Sequence, residues 1–184
     1  MLLKIFATAA LTLTLFCFRL LATEPAPGEK DVPYKRISVG EYQNFIGNWD
    51  DKKDPVLCAL IRSAREYSAV FHPAPVMRLR KPFAPDEELF DKELIILIAK
   101  VMTAPADTDK AFADATVTET GDTLMIHYRF IDAKSDATYT VKNFLALRIP
   151  KRDYKRVLFL ENGKQAGELK PSEGGWCNIK LEVQ

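Results

Sequence analysis

The chain has 184 residues, a formal net charge of +1, and a composition that is 47% hydrophobic and 28% charged. This length predicts one domain, and the composition excludes a disordered or fibrous protein. The near-zero charge gives no reason to expect a nucleic-acid partner, and three cysteines are too few for a disulfide-dense miniprotein. No repeat of about 20–50 residues is visible, which argues against a solenoid or a propeller.

The first 22 residues have the pattern of a bacterial secretory signal peptide. Lys4 lies near the start, an apolar or small stretch covers residues 5–18, and a polar, proline-containing segment follows Ala22. Cleavage is expected after Ala22, with Ala26 as the alternative site. An uncleaved membrane anchor is the other interpretation, but the stretch is short for a span of about 20 residues. We therefore expect an exported protein, periplasmic or secreted, with no membrane span after cleavage.

Cleavage would change both the charge and the cysteine count. Lys4 and Arg19 are the charged residues that leave, so the formal net charge changes from +1 to −1. Cys17 leaves as well, and Cys58 and Cys177 remain as the one possible pair in a compartment where disulfides persist. A disulfide between them would close a loop of about 120 residues and stabilise the fold by roughly 4–5 kcal/mol. Two unpaired thiols are the alternative.

Two capping boxes predict short helices in the N-terminal part of the mature chain. Behind the first box, apolar residues recur at helical intervals and predict a helix near residues 39–48. The second box, Ser63-Ala64-Arg65-Glu66, predicts a helix that ends near Phe71. Residues 56–62 fit either a strand before this helix or the start of one long helix. The position of the second box favours the strand.

The rest of the chain has the patterns of β-strands. Residues 94–99 form an apolar run of strand length, typical of a central strand buried on both faces. Gly121-Asp122 and Asn162-Gly163 each separate two strand-like segments and predict hairpin turns. The strand expected over residues 137–149 changes its apolar phase near Asn143, which predicts a β-bulge there.

Together these segments predict a single α+β domain over residues 35–184, after an extended, proline-containing leader over residues 23–34. The expected sheet is largely antiparallel and rich in hairpins, with about seven strands, of which the last covers residues 176–183. It is either open or closed into a barrel-like form. Two short helices lie on its N-terminal side.

The order of these elements resembles a known family. A strand leads into Ser63-Ala64-Arg65-Glu66 and an aromatic-rich helix, Phe90-Asp91-Lys92-Glu93 precedes the apolar strand, and a hairpin and Arg148-Ile149-Pro150-Lys151 follow. Over residues 61–151 this order resembles the PrcB-like C-terminal domain, a small exported bacterial domain found with protease-complex subunits. The Thr-Gly-Gly-Tyr turn usual in that family is replaced by Thr103-Ala104-Pro105-Ala106. The resemblance implies an interaction module without catalytic residues.

Motifs of the common enzyme classes are absent from the sequence. There is no phosphate-binding loop, no Gly-x-Ser-x-Gly elbow and no Cys-x-x-Cys. His72 and His127 are the two histidines, and without patterned carboxylates they do not predict a metal site, so no cofactor is expected. The residue types allow one catalytic arrangement, with Cys177 as nucleophile, His127 as base, and a carboxylate or Asn178 to orient the base. A disulfide at Cys177 would exclude this arrangement.

Two basic groups are the candidate binding residues. They are Arg78, Arg80 and Lys81 in one loop, and Lys151, Arg152, Lys155 and Arg156 at a corner before a strand. Such groups attract an anionic envelope component or the acidic face of a partner protein. Alternatively, they are solvated charges that prevent association between sheet edges.

The expected function is therefore that of a non-catalytic binding or structural module of the cell envelope, whose partner is an unidentified protein or envelope component. One alternative is a cryptic hydrolase that uses Cys177 and His127. The other is a small-ligand carrier, which requires a cavity of several hundred Å³ in a curled sheet.

Overall fold

A computed structural model of the chain describes residues 28–37, 44–47, 49–73, 85–104, 110–132, 136–173 and 176–178. These residues form twelve strands and two α-helices. The first elements are β1 (Lys30–Asp31), β2 (Lys35–Ile37), β3 (Asn44–Ile46), β4 (Val56–Ile61), α1 (Ala64–Val70), β5 (Phe71–Pro73) and α2 (Leu89–Lys92). They are followed by β6 (Glu93–Thr103), β7 (Phe112–Thr120), β8 (Thr123–Phe130), β9 (Thr140–Pro150), β10 (Arg156–Glu161), β11 (Lys164–Leu169) and β12 (Trp176–Asn178).

The strands form two five-stranded sheets and a two-stranded ribbon. Sheet A has the order β1-β7-β8-β10-β11, sheet B has the order β12-β4-β6-β9-β2, and the ribbon pairs β3 with β5. The pairing between β8 and β10 is parallel, and the other pairings of the described strands are antiparallel. The predicted α+β class and the mostly antiparallel, hairpin-rich sheet are therefore confirmed.

Sheets A and B pack face to face around a first hydrophobic core. Sheet B contributes Ile96 and Leu145 to this core, and sheet A contributes Leu124, Ile126 and Phe159. Each of these side chains is at most 2% exposed. Along β8 the inward-facing residues alternate with more exposed ones, which is the period-2 pattern that the sequence shows for this strand.

A second hydrophobic core covers the opposite face of sheet B. Leu97 and Phe144 of that sheet belong to it together with Tyr67, Val70 and Phe71, which come from α1 and the start of β5. The Phe71 ring lies 4.7 Å from that of Tyr67 and 5.3 Å from that of Phe144, measured between centroids. Sheet B is consequently buried on both faces. This explains why β6 carries an unbroken apolar run instead of an alternating one.

Helix α1 begins at the predicted capping box. Ser63 is the N-cap, with extended backbone angles, and its Oγ accepts a hydrogen bond of 3.1 Å from the Glu66 backbone N–H. The Glu66 carboxylate accepts a 2.6 Å hydrogen bond from the Arg62 backbone N–H, one residue before the N-cap. The helix ends where β5 begins, at Phe71. The strand interpretation of the preceding segment is confirmed, since β4 ends two residues before the N-cap.

Both predicted hairpin turns are present. Asn162 and Gly163 have φ angles of 51° and 79°, the left-handed conformations that a two-residue type I′ turn requires, and they join β10 to β11. Gly121, with a φ of 62°, is the first residue of the two-residue turn that joins β7 to β8, and its partner Asp122 has no left-handed φ, as in a type II′ turn. These turns set the register of the two hairpins.

The expected number of strands and the barrel-like alternative are wrong. Twelve strands are described instead of about seven, because β1, β2, β3 and β5 are pairings of only two or three residues that leave no periodic signal in the sequence. In the described ranges sheets A and B share no strand, and each has its own two edge strands, so they form a sandwich and no closed barrel.

Two local predictions are also wrong. Asn44–Ile46, within the helix expected near residues 39–48, is a strand paired with β5, while residues 38–43 lie outside the described part of the chain. No bulge occurs at Asn143, because β6 and β9 keep one register along their whole length. The change of apolar phase reflects burial of both faces of β9. The register shift of β7 lies instead between Ala113 and Thr116, beside Asp114 with a φ of 52°.

The described part of the chain begins close to sheet A. Lys30–Asp31, from the segment predicted as an extended leader, forms β1 and pairs with β7. Val32 continues this contact, because its N–H donates a 2.9 Å hydrogen bond to the Val117 carbonyl and its side chain is only 5% exposed. The predicted signal peptide, residues 1–22, lies outside the described residues.

Candidate functional site

A cavity of about 390 Å³ lies at one end of the sandwich, where the first hydrophobic core meets solvent. Its apolar floor is formed by Leu60 near the end of β4, Leu94 near the start of β6, Tyr154 before β10, and Pro171 after β11. Leu60, Leu94 and Tyr154 belong to the inter-sheet core and are 4%, 2% and 4% exposed. The floor is therefore closed on the inner side by packed side chains.

Charged side chains form the rim of this cavity. Arg62 follows β4, and Lys151, Arg152 and Asp153 follow β9. All four are exposed residues. The two chain segments meet here because β4 and β9 flank β6 in sheet B and run in the same direction. Both strands therefore finish at the same end of the sandwich.

The three cations of the rim differ in their partners. Arg62 Nη2 lies 3.4 Å from Glu66 Oε1, and the guanidinium of Arg152 binds the carboxylate of Glu119. Lys151 Nζ instead donates a 2.7 Å hydrogen bond to the backbone carbonyl of Phe90. Within the described ranges no carboxylate lies at ion-pair distance from Lys151, so no described acidic side chain neutralises its positive charge.

The backbone fixes the position of Lys151. Its N–H donates a 2.8 Å hydrogen bond to the carbonyl of Lys92, the last residue of α2. With the contact to Phe90, both ends of the lysine are bound to the same short helix. The ammonium group is thus held at the rim and also satisfies a carbonyl near a helix C-terminus, where positive charge is favoured.

Glu119 connects the floor of the cavity to its rim. Its carboxylate binds Arg152 and also accepts a 3.3 Å hydrogen bond from the Tyr154 hydroxyl. Burial raises the pKa of Tyr154 to about 12, and the negative charge of Glu119 acts in the same direction. Tyr154 is therefore a neutral hydrogen-bond donor throughout the physiological pH range.

The predicted basic patch is only partly brought together. Lys151 and Arg152 line the cavity, whereas Lys155 and Arg156 are paired elsewhere, with Asp122 at 2.8 Å and with Glu168 at 2.8 Å. The hydrogen bond with Asp122 raises the pKa of Lys155. The remaining members, Arg78, Arg80 and Lys81, lie outside the described residues.

Several lining residues were not predicted from the sequence. Leu60, Leu94 and Pro171 are far apart in the chain and lack any motif, and they converge only because sheets A and B pack against each other. Arg62 precedes the second capping box, but it lies near Lys151 only because β4 and β9 finish at the same end of the sandwich. This site could be predicted from the sequence only if the order of the strands in the sheets were already known.

Cys58 and Cys177 occupy facing positions in sheet B. Strand β12 pairs antiparallel with β4, and the register places Cys177 directly opposite Cys58. Cys58 is completely buried within the first core. The disulfide between these residues stays a prediction.

The two histidines lie in other sheets than the two cysteines. His127 lies on β8 in sheet A, between the inward-facing Ile126 and Tyr128, so its side chain is on the outer face of that sheet. Its Nε2 lies 3.9 Å from Glu29 Oε1. Cys177 belongs to sheet B, and His72 lies on β5 in the two-stranded ribbon. The arrangement with Cys177 as nucleophile and His127 as base stays a prediction.

In the described ranges no three His, Cys, Asp or Glu side chains cluster so that they could hold a metal ion. Neither of the two described helices is long and apolar enough to cross a membrane. Comparison of the chain with protein-family models, with curated proteins and with solved structures gave no match.

Proposed function

We propose that the protein is an exported, non-catalytic binding module of the bacterial cell envelope, and that its terminal cavity binds the C-terminal end of a partner polypeptide with an apolar last residue. One observation carries the proposal: the cavity combines an apolar floor with Lys151, a cation that no described carboxylate neutralises. An apolar side chain with a carboxylate beside it is complementary to this combination.

The rim favours a carboxylate as the anionic group. Arg62 and Arg152 present planar guanidinium groups that bind carboxylates through paired hydrogen bonds, and Lys151 adds a point charge. The carboxylates of Glu66 and Glu119 already bind the two arginines, so the net attraction depends most on Lys151. Charge-assisted hydrogen bonds of this kind contribute roughly 1.5–3 kcal/mol each.

The depth of the cavity favours a peptide end over a long alkyl chain. Leu60 and Leu94 close the floor and are themselves packed in the inter-sheet core, so an alkyl chain has no tunnel to enter. One apolar side chain can contact this floor, while the rest of a polypeptide continues into solvent. A binding role without catalysis is also what the resemblance to the PrcB-like C-terminal domain implies.

A pair of short peptides tests the proposal by isothermal titration calorimetry. Both are acetylated and end in leucine, one with a free C-terminal carboxylate and the other with an amide. We expect the free carboxylate to bind at least about tenfold more tightly, the equivalent of about 1.4 kcal/mol. Equal affinity of the two peptides, or no binding of either, would overturn the proposal.

A matched pair of variants locates the site. Lys151→Gln is expected to lose most of the preference for the free carboxylate, whereas Lys155→Gln is expected to keep it, since Lys155 is paired with Asp122 outside the cavity. Both residues are exposed, so neither substitution disturbs the core. Equal losses for the two variants would show nonspecific attraction instead of a defined site.

The cavity volume also favours a second candidate, the small-ligand carrier. Its volume of about 390 Å³ falls in the range of small-molecule sites, roughly 300–1,000 Å³. Decanoate is the probe for this alternative, because it offers the same carboxylate on an alkyl chain. Binding of decanoate in the absence of peptide binding would support the carrier and refute peptide recognition.

A further inference from the structure

The facing cysteines have a backbone geometry suited to a covalent bond. Cys177 is opposite Cys58, between the pairs Trp176 with Ala59 and Asn178 with Leu57. Directly opposed residues of antiparallel strands have Cα atoms roughly 4.5 or 5.5 Å apart, depending on the type of pair. Disulfides span Cα separations of about 4.4–6.8 Å. The Cα separation that the register of β4 and β12 implies therefore falls within the range that disulfides span.

The hydrogen bonds of strand β12 alone do not explain why it is held at the edge of sheet B. It pairs with β4 over only three residues, about 120 residues later in the chain. Such a short pairing forms few hydrogen bonds, while ordering each of its residues costs conformational entropy. Yet β12 occupies the edge of β4, a strand whose six residues are all buried. Without β12 that edge would present unpaired backbone groups to solvent and to other chains.

We propose that Cys58 and Cys177 form a disulfide that holds β12 against the edge of sheet B. The two thiols lose two protons and two electrons as the S–S bond forms. The oxidant is a protein disulfide of the oxidising compartment, which is reduced to two thiols by exchange. Because Cys58 is completely buried once the sheets are packed, this exchange takes place while the chain folds. The proposal rests on export and is independent of what the cavity binds.

Mass spectrometry tests the bond directly. The protein is exported to a bacterial periplasm, purified without reductant, unfolded, alkylated and digested. We expect the Cys58 and Cys177 peptides to be linked, with neither cysteine alkylated until a reductant is added. Alkylation of both cysteines before reduction would overturn the proposal, and so would linkage of either one to Cys17 or to another chain.

Hydrogen exchange tests whether the bond holds the strand. In the oxidised protein, peptides covering β4 are expected to exchange at least tenfold more slowly than in Cys177→Ser, while β8 peptides exchange equally in both. Asn178→Ala, a change at the next position of β12, serves as the matched control and is expected to resemble the unmodified chain. If Cys177→Ser leaves β4 exchange unchanged, β12 is held without the bond and the proposed role is refuted. Peptide titration measures binding at the cavity separately, so the disulfide proposal and the peptide-binding proposal can each fail without the other.

Discussion

The ion pair between Lys100 and Glu161 joins the two sheets, and loss of either charge is expected to destabilise the fold. Lys100 Nζ, on β6, lies 2.6 and 2.7 Å from the two carboxylate oxygens of Glu161, on β10. The two side chains are only 17% and 18% exposed. Tyr128 donates a 3.0 Å hydrogen bond to the same carboxylate, and the Lys100 ammonium lies 4.3 Å from the centroid of the Phe130 ring.

The size of the effect follows from this geometry. At a separation of about 2.7 Å and an effective dielectric constant of about 20, the Coulomb attraction is about 6 kcal/mol. Desolvation of the two ions opposes it by several kcal/mol, and removal of one partner from a buried pair typically costs about 3–5 kcal/mol. Since nearly a fifth of each side chain remains exposed, water partly screens the charge left behind. We expect Lys100→Met and Glu161→Gln each to lower the free energy of unfolding by about 2–4 kcal/mol.

A double-mutant cycle measured by urea unfolding and circular dichroism isolates the pair. Glutamine at position 161 still accepts a hydrogen bond from Tyr128, and the Lys100 contact with Phe130 is lost equally in the single and the double variant, so the coupling energy reports the ion pair. The double variant is expected to lose less than the two single losses combined, with a coupling energy of about 1–3 kcal/mol. Asp114→Asn is the control, because the Arg129–Asp114 pair is 57% and 68% exposed and is expected to contribute less than about 1 kcal/mol. Single losses below about 0.5 kcal/mol with no coupling would refute this reasoning.

Two further predictions concern a helix cap and a buried tyrosine. Ser63→Ala removes the N-cap of α1 and is expected to lower the free energy of unfolding by about 1 kcal/mol in the same urea assay, whereas Ser63→Asp, which keeps a capping oxygen, should restore most of it. Burial raises the pKa of Tyr154 from 10.0 to about 12, so the folded state retains the proton longer than the unfolded chain. The associated stability is complete below pH 10 and is lost between pH 10 and 12. Tyr154→Phe should therefore reduce the decline in the free energy of unfolding across that pH range. The part of the decline due to Tyr128, whose pKa burial also raises, should remain. An unchanged decline in Tyr154→Phe would contradict this assignment.

The elements that could be predicted from the sequence are those determined by their own residues. Asn162-Gly163 adopts left-handed angles that few other dipeptides tolerate, and Ser63 and Glu66 form a cap within four residues. Residues 94–99 are apolar on both sides because both faces of β6 are covered. In each case the local sequence carries the whole signal.

The elements that could not be predicted depend on distant partners. Asn44–Ile46 lies among aromatic and apolar residues at helical spacing, yet pairing with β5 makes it a strand. Ile46 and Trp49 are buried in the second core, so the spacing of these two residues reflects packing in that core. The cavity shows the same dependence, because Arg62, Lys151 and Pro171 meet only through the order of strands in the sandwich.

The chain crosses between sheets A and B several times, and this has consequences for how the fold is reached. It leaves sheet A after β8 to add β9 to sheet B and returns for β10 and β11, and the last described strand, β12, lies again in sheet B. No continuous stretch of the chain holds a complete sheet, so folding depends on contacts between distant segments, which form slowly. The apolar strand β6 has no β9 beside it until residues 140–150 have been made. Until then one side of this apolar strand lacks its partner, which exposes Leu94 and its apolar neighbours to association with other chains.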